Sequence, residues 1–173
     1  MSLISASAFL FGEIMKLVGI IDEDFVNYKK VSMTLEFPYC SFKCDKDANC
    51  NVCQNSLLSK YEVADIDNRK IIEYYQKDPI TESIVCQGLE PLDSWDELYE
   101  FIKLFREQCN DDIVIYTGYT EKEVKDFGII LKLLKFKNII IKFGRFVPND
   151  NTRFDNILGV TLASSNQYAR KIS

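Results

Sequence analysis

The sequence predicts an α/β fold with a mostly parallel sheet, because short apolar segments alternate with helical ones along the chain. Residues 31–37, 83–87, 112–117 and 138–143 are apolar, rich in β-branched side chains and of strand length. Residues 68–77 and 94–108 instead repeat apolar side chains every three to four positions, and residues 120–135 follow a helix-start signal. Strands separated by single helices favour parallel pairing through crossover helices.

Each predicted helix begins with a capping signal. Asp67 can accept a hydrogen bond from the first free N–H groups of the helix over 68–77. Ser94 with Glu97, and Thr120 with Glu123, have the spacing of a capping box. These signals place the helix starts more firmly than the helix ends.

With 173 residues the chain has the length of one domain, which we expect to span residues 15–173. Residues 1–14 are interpreted as a leader or a mis-assigned start, because the sequence from Met15 onward reads like a fresh beginning. An N-terminal helix that packs on the domain is the alternative. The apolar part of this stretch is about a dozen residues long, and a membrane-spanning helix needs roughly 20. No membrane segment is therefore predicted.

The formal net charge is −5, from 21 Lys and Arg against 26 Asp and Glu, so a nucleic-acid partner has no support in the composition. The chain has six cysteines but no recognisable signal peptide. Disulfide scaffolds belong to small secreted proteins, so the cytoplasm is the expected location.

Four of the cysteines, Cys40, Cys44, Cys50 and Cys53, lie within fourteen positions directly after the strand over 31–37. A four-thiolate zinc site is one interpretation of this cluster. An iron–sulfur cluster is the other, since thiolates are its usual ligands. The remaining Cys86 and Cys109 are predicted to be core thiols.

A strand followed by Cys-x3-Cys and then by an aliphatic residue and Cys-x-Asn resembles the cluster loop of the radical S-adenosylmethionine (SAM) superfamily. The resemblance implies that Cys40, Cys44 and Cys53 bind a [4Fe-4S] cluster, and that the iron without a cysteine binds SAM. The loop departs from the family pattern, because eight residues separate Cys44 from Cys53 where the family has two. Cys50 is therefore an alternative third ligand, although Val52 and Asn55 favour Cys53.

Three further segments resemble parts of the same superfamily, and the last two resemble the activating enzymes of anaerobic ribonucleotide reductases. Residues 88–91, Gly-Leu-Glu-Pro, are similar to its Gly-Gly-Glu-Pro segment, with Leu89 in place of the second glycine. Residues 113–120 resemble a Tyr-Thr-Gly-Tyr segment, and residues 144–146 with 164–167 resemble the carboxyl-terminal part of these enzymes. Lys142 and Phe143 stand where that family has an aspartate before glycine. The resemblance implies SAM contacts for Asn55, Gly88, Glu90, Pro91, Tyr116, Thr117 and Gly118.

The resemblance as a whole implies a partial (β/α) barrel of radical SAM type and an oxidoreductase that generates a glycyl radical on a large partner enzyme. Anaerobic ribonucleotide reductase is the expected partner, and a protein such as flavodoxin is the expected electron donor. This chemistry requires no general acid or base, which fits a chain without histidine. Two alternatives stay open: a radical SAM enzyme for another protein or small substrate, and a non-catalytic iron–sulfur or zinc-binding interaction protein.

Overall fold

A six-stranded mixed sheet forms the centre of the computed structural model, which describes residues 14–173. The predicted leader, residues 1–14, lies outside the described residues except for Ile14, which begins the first strand. The strands are β1 (Ile14–Leu17), β2 (Gly19–Asp24), β3 (Ser32–Phe37), β4 (Ala64–Asp67), β5 (Ser83–Gly88), β6 (Asp112–Tyr116), β7 (Ile139–Phe143), β8 (Arg153–Asp155), β9 (Val160–Leu162) and β10 (Tyr168–Lys171). The α-helices are α1 (Lys43–Ala48), α2 (Asn68–Lys77), α3 (Trp95–Gln108), α4 (Glu121–Asp126) and α5 (Ile129–Leu133). Short 3₁₀ helices span Ser56–Lys60 and Pro91–Ser94.

The strand order in the main sheet is β10-β7-β6-β5-β3-β2. The four central strands are parallel, and the edge strands β2 and β10 run antiparallel to their neighbours. The register pairs Phe37 with Gly88 and Tyr116 with Lys142, so the carboxyl ends of the central strands lie along one edge. The predicted α/β class with a mostly parallel sheet is confirmed.

The two faces of the sheet are covered differently, because successive residues of a strand point to opposite sides. One face, which includes Leu35, Ile84 and Ile115, packs against α2, α3 and α5 in the larger apolar cluster. The opposite face has a smaller cluster, in which strand residues such as Val114 meet Tyr28 and Leu158. Among residues 14–173, the second face is covered by the β8–β9 hairpin and the loop after β2, which leaves room for a cavity.

All three predicted helix starts are confirmed, with Asp67, Ser94 and Thr120 as the N-cap residues, but only two of them form the predicted cap. The Asp67 carboxylate accepts from the Arg69 N–H at 2.8 Å, and Thr120 with Glu123 forms a complete capping box. The capping box at Ser94 is wrong: its hydroxyl makes no cap, because the 3₁₀ turn over 91–94 runs directly into α3. Glu97 instead accepts from the Lys16 N–H at 2.9 Å and ties α3 to β1.

The single helix predicted over 120–135 is also wrong, because Gly128 divides it into α4 and α5. Its φ of +71° is left-handed, a conformation that ends helices and favours glycine. No helix among residues 14–173 is both long and apolar enough to cross a membrane.

Candidate functional site

A cavity of about 370 Å³ opens at the carboxyl ends of the four parallel strands. Its size is within the usual range for small-molecule and cofactor sites, and its position is the usual one in open α/β sheets. Nine of the ten residues to which the sequence assigns cofactor contacts line it: Cys40, Cys44, Cys53, Asn55, Gly88, Glu90, Tyr116, Thr117 and Gly118. Residues from 40 to 118 thus converge on one space.

Two candidates from the sequence lie elsewhere. Pro91 does not line the cavity; it is buried and begins the 3₁₀ turn after Glu90. Cys50 is exposed, and its thiol contacts the Ala48 carbonyl at 3.4 Å. The third thiol beside Cys40 and Cys44 is therefore that of Cys53, while its role as a ligand stays a prediction.

The three cavity thiols lie close enough to influence one another. Burial raises the pKa of Cys40 to about 12 and also raises that of Cys53, and neighbouring thiols contribute to both shifts. Backbone N–H groups point at two of the sulfurs: Phe42 donates to Cys40 Sγ at 3.2 Å, and Asn55 donates to Cys53. Such N–H···S hydrogen bonds stabilise the negative charge that a sulfur carries when it binds iron.

Asp45 explains how a long spacing still brings Cys53 beside Cys44. Its Oδ1 accepts from the backbone N–H groups of Val52 and Cys53, both at 2.8 Å. Helix α1 takes up the first half of the intervening segment, and Asn49 ends it with a left-handed φ of 52°. The chain therefore folds back on Asp45, and the extra residues form a local loop.

Gly88 joins this loop to the end of β5. Asn55 Nδ2 donates to the Gly88 carbonyl at 2.6 Å. The φ of Gly88 is +97°, and an added Cβ would lie 2.6 Å from the Phe37 nitrogen, so the position requires glycine. Both predicted residues thus have structural contacts as well as a place in the cavity wall.

Glu90 is a buried carboxylate that holds two turns together. It is 4% exposed, and it accepts from Leu92 N–H at 3.1 Å and from Gly118 N–H at 2.8 Å. Burial raises its pKa to about 7, although these backbone donors act in the opposite direction. The turns after β5 and β6 are therefore fixed to each other beside the thiols.

Gly118 lies in close contact with these groups. A Cβ built at this position would lie 3.7 Å from Cys44 Sγ and 3.5 Å from Glu90 Oε2. Thr117 is 2% exposed, and its N–H donates to the Lys142 carbonyl at 2.9 Å. The Tyr116 hydroxyl donates to the Asn27 carbonyl at 2.5 Å and fixes the loop after β2.

The cavity floor also contains three polar residues that the sequence did not assign to the site. Glu36 and Gln87 are register partners on β3 and β5, and Lys142 is the partner of Tyr116 on β7. These three residues and Tyr116 all line the cavity, so one polar side chain faces it from each central strand. The sequence position of these residues could have identified them. Side chains alternate along a strand, and each of these residues lies an even number of positions from one that faces away from the helices.

Two cations lie near Cys44. Lys142 is 7% exposed, and burial lowers its pKa to about 8, against the influence of Glu90 and Cys44. Arg145 forms ion pairs with Glu123 at 2.7 Å and Asp47 at 3.1 Å, and the Glu123 hydrogen bond raises its pKa.

The cavity fits an iron–sulfur cluster by its donor set. All six cysteines are free thiols, and three of them line one wall with N–H groups directed at two sulfurs. Within residues 14–173 no three Cys, Asp or Glu side chains converge closely enough to hold a single metal ion. In a four-iron cluster each cysteine binds a different iron, so its ligands lie farther apart than those of a single ion.

A comparison with protein families gives one match, the 4Fe-4S single cluster domain, over residues 27–168. This match covers most of the chain, including all four clustered cysteines and every cavity residue except Val26. Searches of curated proteins and of solved structures found no significant match.

Proposed function

Because the chain belongs to the 4Fe-4S single cluster domain family, we propose that it is a radical SAM activating enzyme. In this proposal it cleaves SAM reductively and generates a glycyl radical on a partner enzyme. The observation that carries it is the shared cavity, in which three thiols and six of the seven residues proposed to contact SAM face one another.

Cys40, Cys44 and Cys53 would hold the cluster. Phe42 and Asn55 would stabilise the sulfur charge through their N–H groups, and Asp45 would keep Cys53 in place. A [4Fe-4S] cluster held by these three cysteines would leave one iron free for SAM and would supply the electron for reductive SAM cleavage. The residues around it bind, orient and exclude water.

The other cavity walls suit SAM. The oxygens of Glu90 and the Gly88 carbonyl have lone pairs left for an ammonium group. The turn at Thr117 and Gly118 supplies a small, rigid surface beside Glu90, where a ribose or adenine could lie. Tyr116 continues this wall and holds the loop after β2.

The finer fold assignment is part of the proposal: the four parallel strands would form the partial (β/α) barrel of radical SAM enzymes. The helices cover one sheet face and the cavity opens on the other, as such a barrel requires. Within the described part of the chain a hairpin and a loop cover the cavity side, so a large glycyl-radical enzyme, anaerobic ribonucleotide reductase, would complete the enclosure. An electron donor such as flavodoxin remains part of the proposal, and a reducing cytoplasm would keep the six thiols free.

Anaerobic reconstitution with iron and sulfide, followed by reduction and addition of SAM, tests the proposal. We expect about four irons per chain and formation of 5′-deoxyadenosine and methionine in equal amounts. Parallel loading with zinc provides the control. A protein that prefers zinc, or a cluster that never cleaves SAM, would contradict the enzyme assignment and favour an interaction protein.

A further inference from the structure

Lys142 is a buried cation that forms no ion pair among residues 14–173, although Glu90 and Cys44 lie close enough to favour its charged form. Its side chain faces the cavity from the end of β7, and the residue is 7% exposed. Its Nζ donates to the Gly144 carbonyl at 3.0 Å, which leaves two N–H groups unused. Among residues 14–173 no carboxylate forms an ion pair with it.

The contrast with Arg145 shows that Lys142 is unusual. Arg145 also lies near Cys44, but two carboxylates, those of Glu123 and Asp47, neutralise it. A buried charge without a partner is destabilising, because it loses its hydration and gains no attraction in return. A buried lysine in such a position therefore indicates that a bound anionic group compensates its charge.

The Gly144 contact does not account for this lysine. The same carbonyl accepts a second hydrogen bond from Gln167 Nε2 at 3.2 Å, so it keeps a donor without Lys142. Gly144 itself is held in a left-handed conformation with φ +102°. The turn after β7 thus has supports of its own.

The anion that fits is the thiolate-bound cluster, because Cys40, Cys44 and Cys53 share the cavity with Lys142. We propose that Lys142 is the cation that neutralises part of the cluster's negative charge and raises its reduction potential. This inference rests on the proposed function, since it requires a [4Fe-4S] cluster at these three cysteines.

The direction of the shift in reduction potential follows from the charge of the cluster. Reduction transfers one electron from an external donor, dithionite in the test below, to the oxidised [4Fe-4S] cluster, whose net charge becomes more negative by one. A fixed cation in a poorly hydrated cavity stabilises the more negative form most. Removing the cation should therefore make reduction harder.

The test compares Lys142→Met with wild type in two forms of the full chain. In the reconstituted protein, a potentiometric titration followed by electron paramagnetic resonance gives the midpoint potential. We expect the equilibrium constant of reduction to fall about tenfold or more, which is about 59 mV for a one-electron couple. In the cluster-free protein, urea unfolding should show stability equal to or above that of wild type, because an unpaired buried charge has been removed.

Lys103→Met is the matched control. It removes the same charge from the surface of α3, where Lys103 forms an ion pair with Glu100 at 2.7 Å, far from the cavity residues. The control should leave the potential unchanged, and Lys142→Arg should keep it near the wild-type value. If Lys142→Met folds but loses its iron, recovery of iron in Lys142→Arg supports the proposal, and no recovery overturns it.

Two results overturn the inference alone. The first is an unchanged potential in Lys142→Met with its cluster in place. The second is a cluster-free Lys142→Met that is less stable than wild type or unfolded, since Lys142 would then be a structural donor. Wild-type protein that assembles no four-iron cluster would instead overturn the proposed function itself.

Discussion

Replacing Asp45 with alanine should loosen the third cysteine without unfolding the domain. The substitution removes the acceptor of two backbone hydrogen bonds, from Val52 and Cys53, each at 2.8 Å. Helix α1, on which Asp45 lies, contains no buried residue. The core should therefore remain intact while the segment leading to Cys53 becomes free to move.

The expected magnitude follows from these two bonds. Hydrogen bonds to charged groups contribute about 1.5–3 kcal/mol when buried, and Asp45 is only half-buried, so about 1 kcal/mol for each is the appropriate scale. Together they give about 2 kcal/mol, or roughly a 30-fold change in an equilibrium constant. Because the ordering of Cys53 must then occur on cluster binding, this loss should appear as weaker cluster retention.

The assay is the rate and extent of iron loss to a chelator from anaerobically reconstituted protein, with urea unfolding of the cluster-free protein beside it. Asp47→Ala is the matched control: it removes a carboxylate from the same helix, and Arg145 keeps its ion pair with Glu123. We expect faster iron loss in Asp45→Ala only, while the unfolding free energy of its cluster-free form falls by no more than about 2 kcal/mol. Equal retention of iron by Asp45→Ala and wild type would refute the role given to Asp45.

Three further predictions concern the cavity walls. Gly88→Ala should lower the unfolding free energy by about 3 kcal/mol, because its Cβ would lie 2.6 Å from the Phe37 nitrogen at φ +97°. Gly128→Ala, with φ +71° and nothing within 4 Å, should lose about 1 kcal/mol in the same urea titration. For Glu90, the pKa of about 7 in the fold exceeds the ordinary 4.5, so its contribution to stability is full below pH 4.5 and is lost as the pH rises to 7. Glu90→Gln should reduce the change in unfolding free energy between pH 4.5 and 7 by on the order of 3 kcal/mol. An unfolding free energy that varies as steeply with pH as in wild type would refute the raised pKa of Glu90. Asn55→Ala removes the 2.6 Å hydrogen bond to the Gly88 carbonyl and should lower iron retention several-fold in the chelator assay, a result that unchanged retention would contradict.

The central strands and main helices could be predicted because their signals are local. The apolar segments around Ile84 and Ile140 are too short for helices. For α2, the sequence shows both the capping residue Asp67 and apolar residues repeated every three to four positions. The edge strands β2 and β10 were not predicted, because their mixed side chains give no apolar run. Their pairing depends on β3 and β7, which are distant in sequence.

The part of the site that could be predicted consists of motif residues placed directly at the ends of neighbouring strands. The convergence of Cys40 and Gly88 follows from the parallel order of β3 and β5. The role of Asp45 could not be predicted, because it depends on a loop that folds back on itself. Lys142 was noticed only as a departure from a family pattern; its burial beside Cys44 follows from the register of β7, which sequence alone does not give.

The most direct test of the account is the iron content of Cys53→Ala and Cys50→Ala after the same anaerobic reconstitution. Cys53 lines the cavity with Cys40 and Cys44, whereas Cys50 is exposed outside it. We predict that Cys50→Ala holds about four irons like wild type, and that Cys53→Ala loses most of them. Iron lost from Cys50→Ala and kept in Cys53→Ala would contradict the site as described.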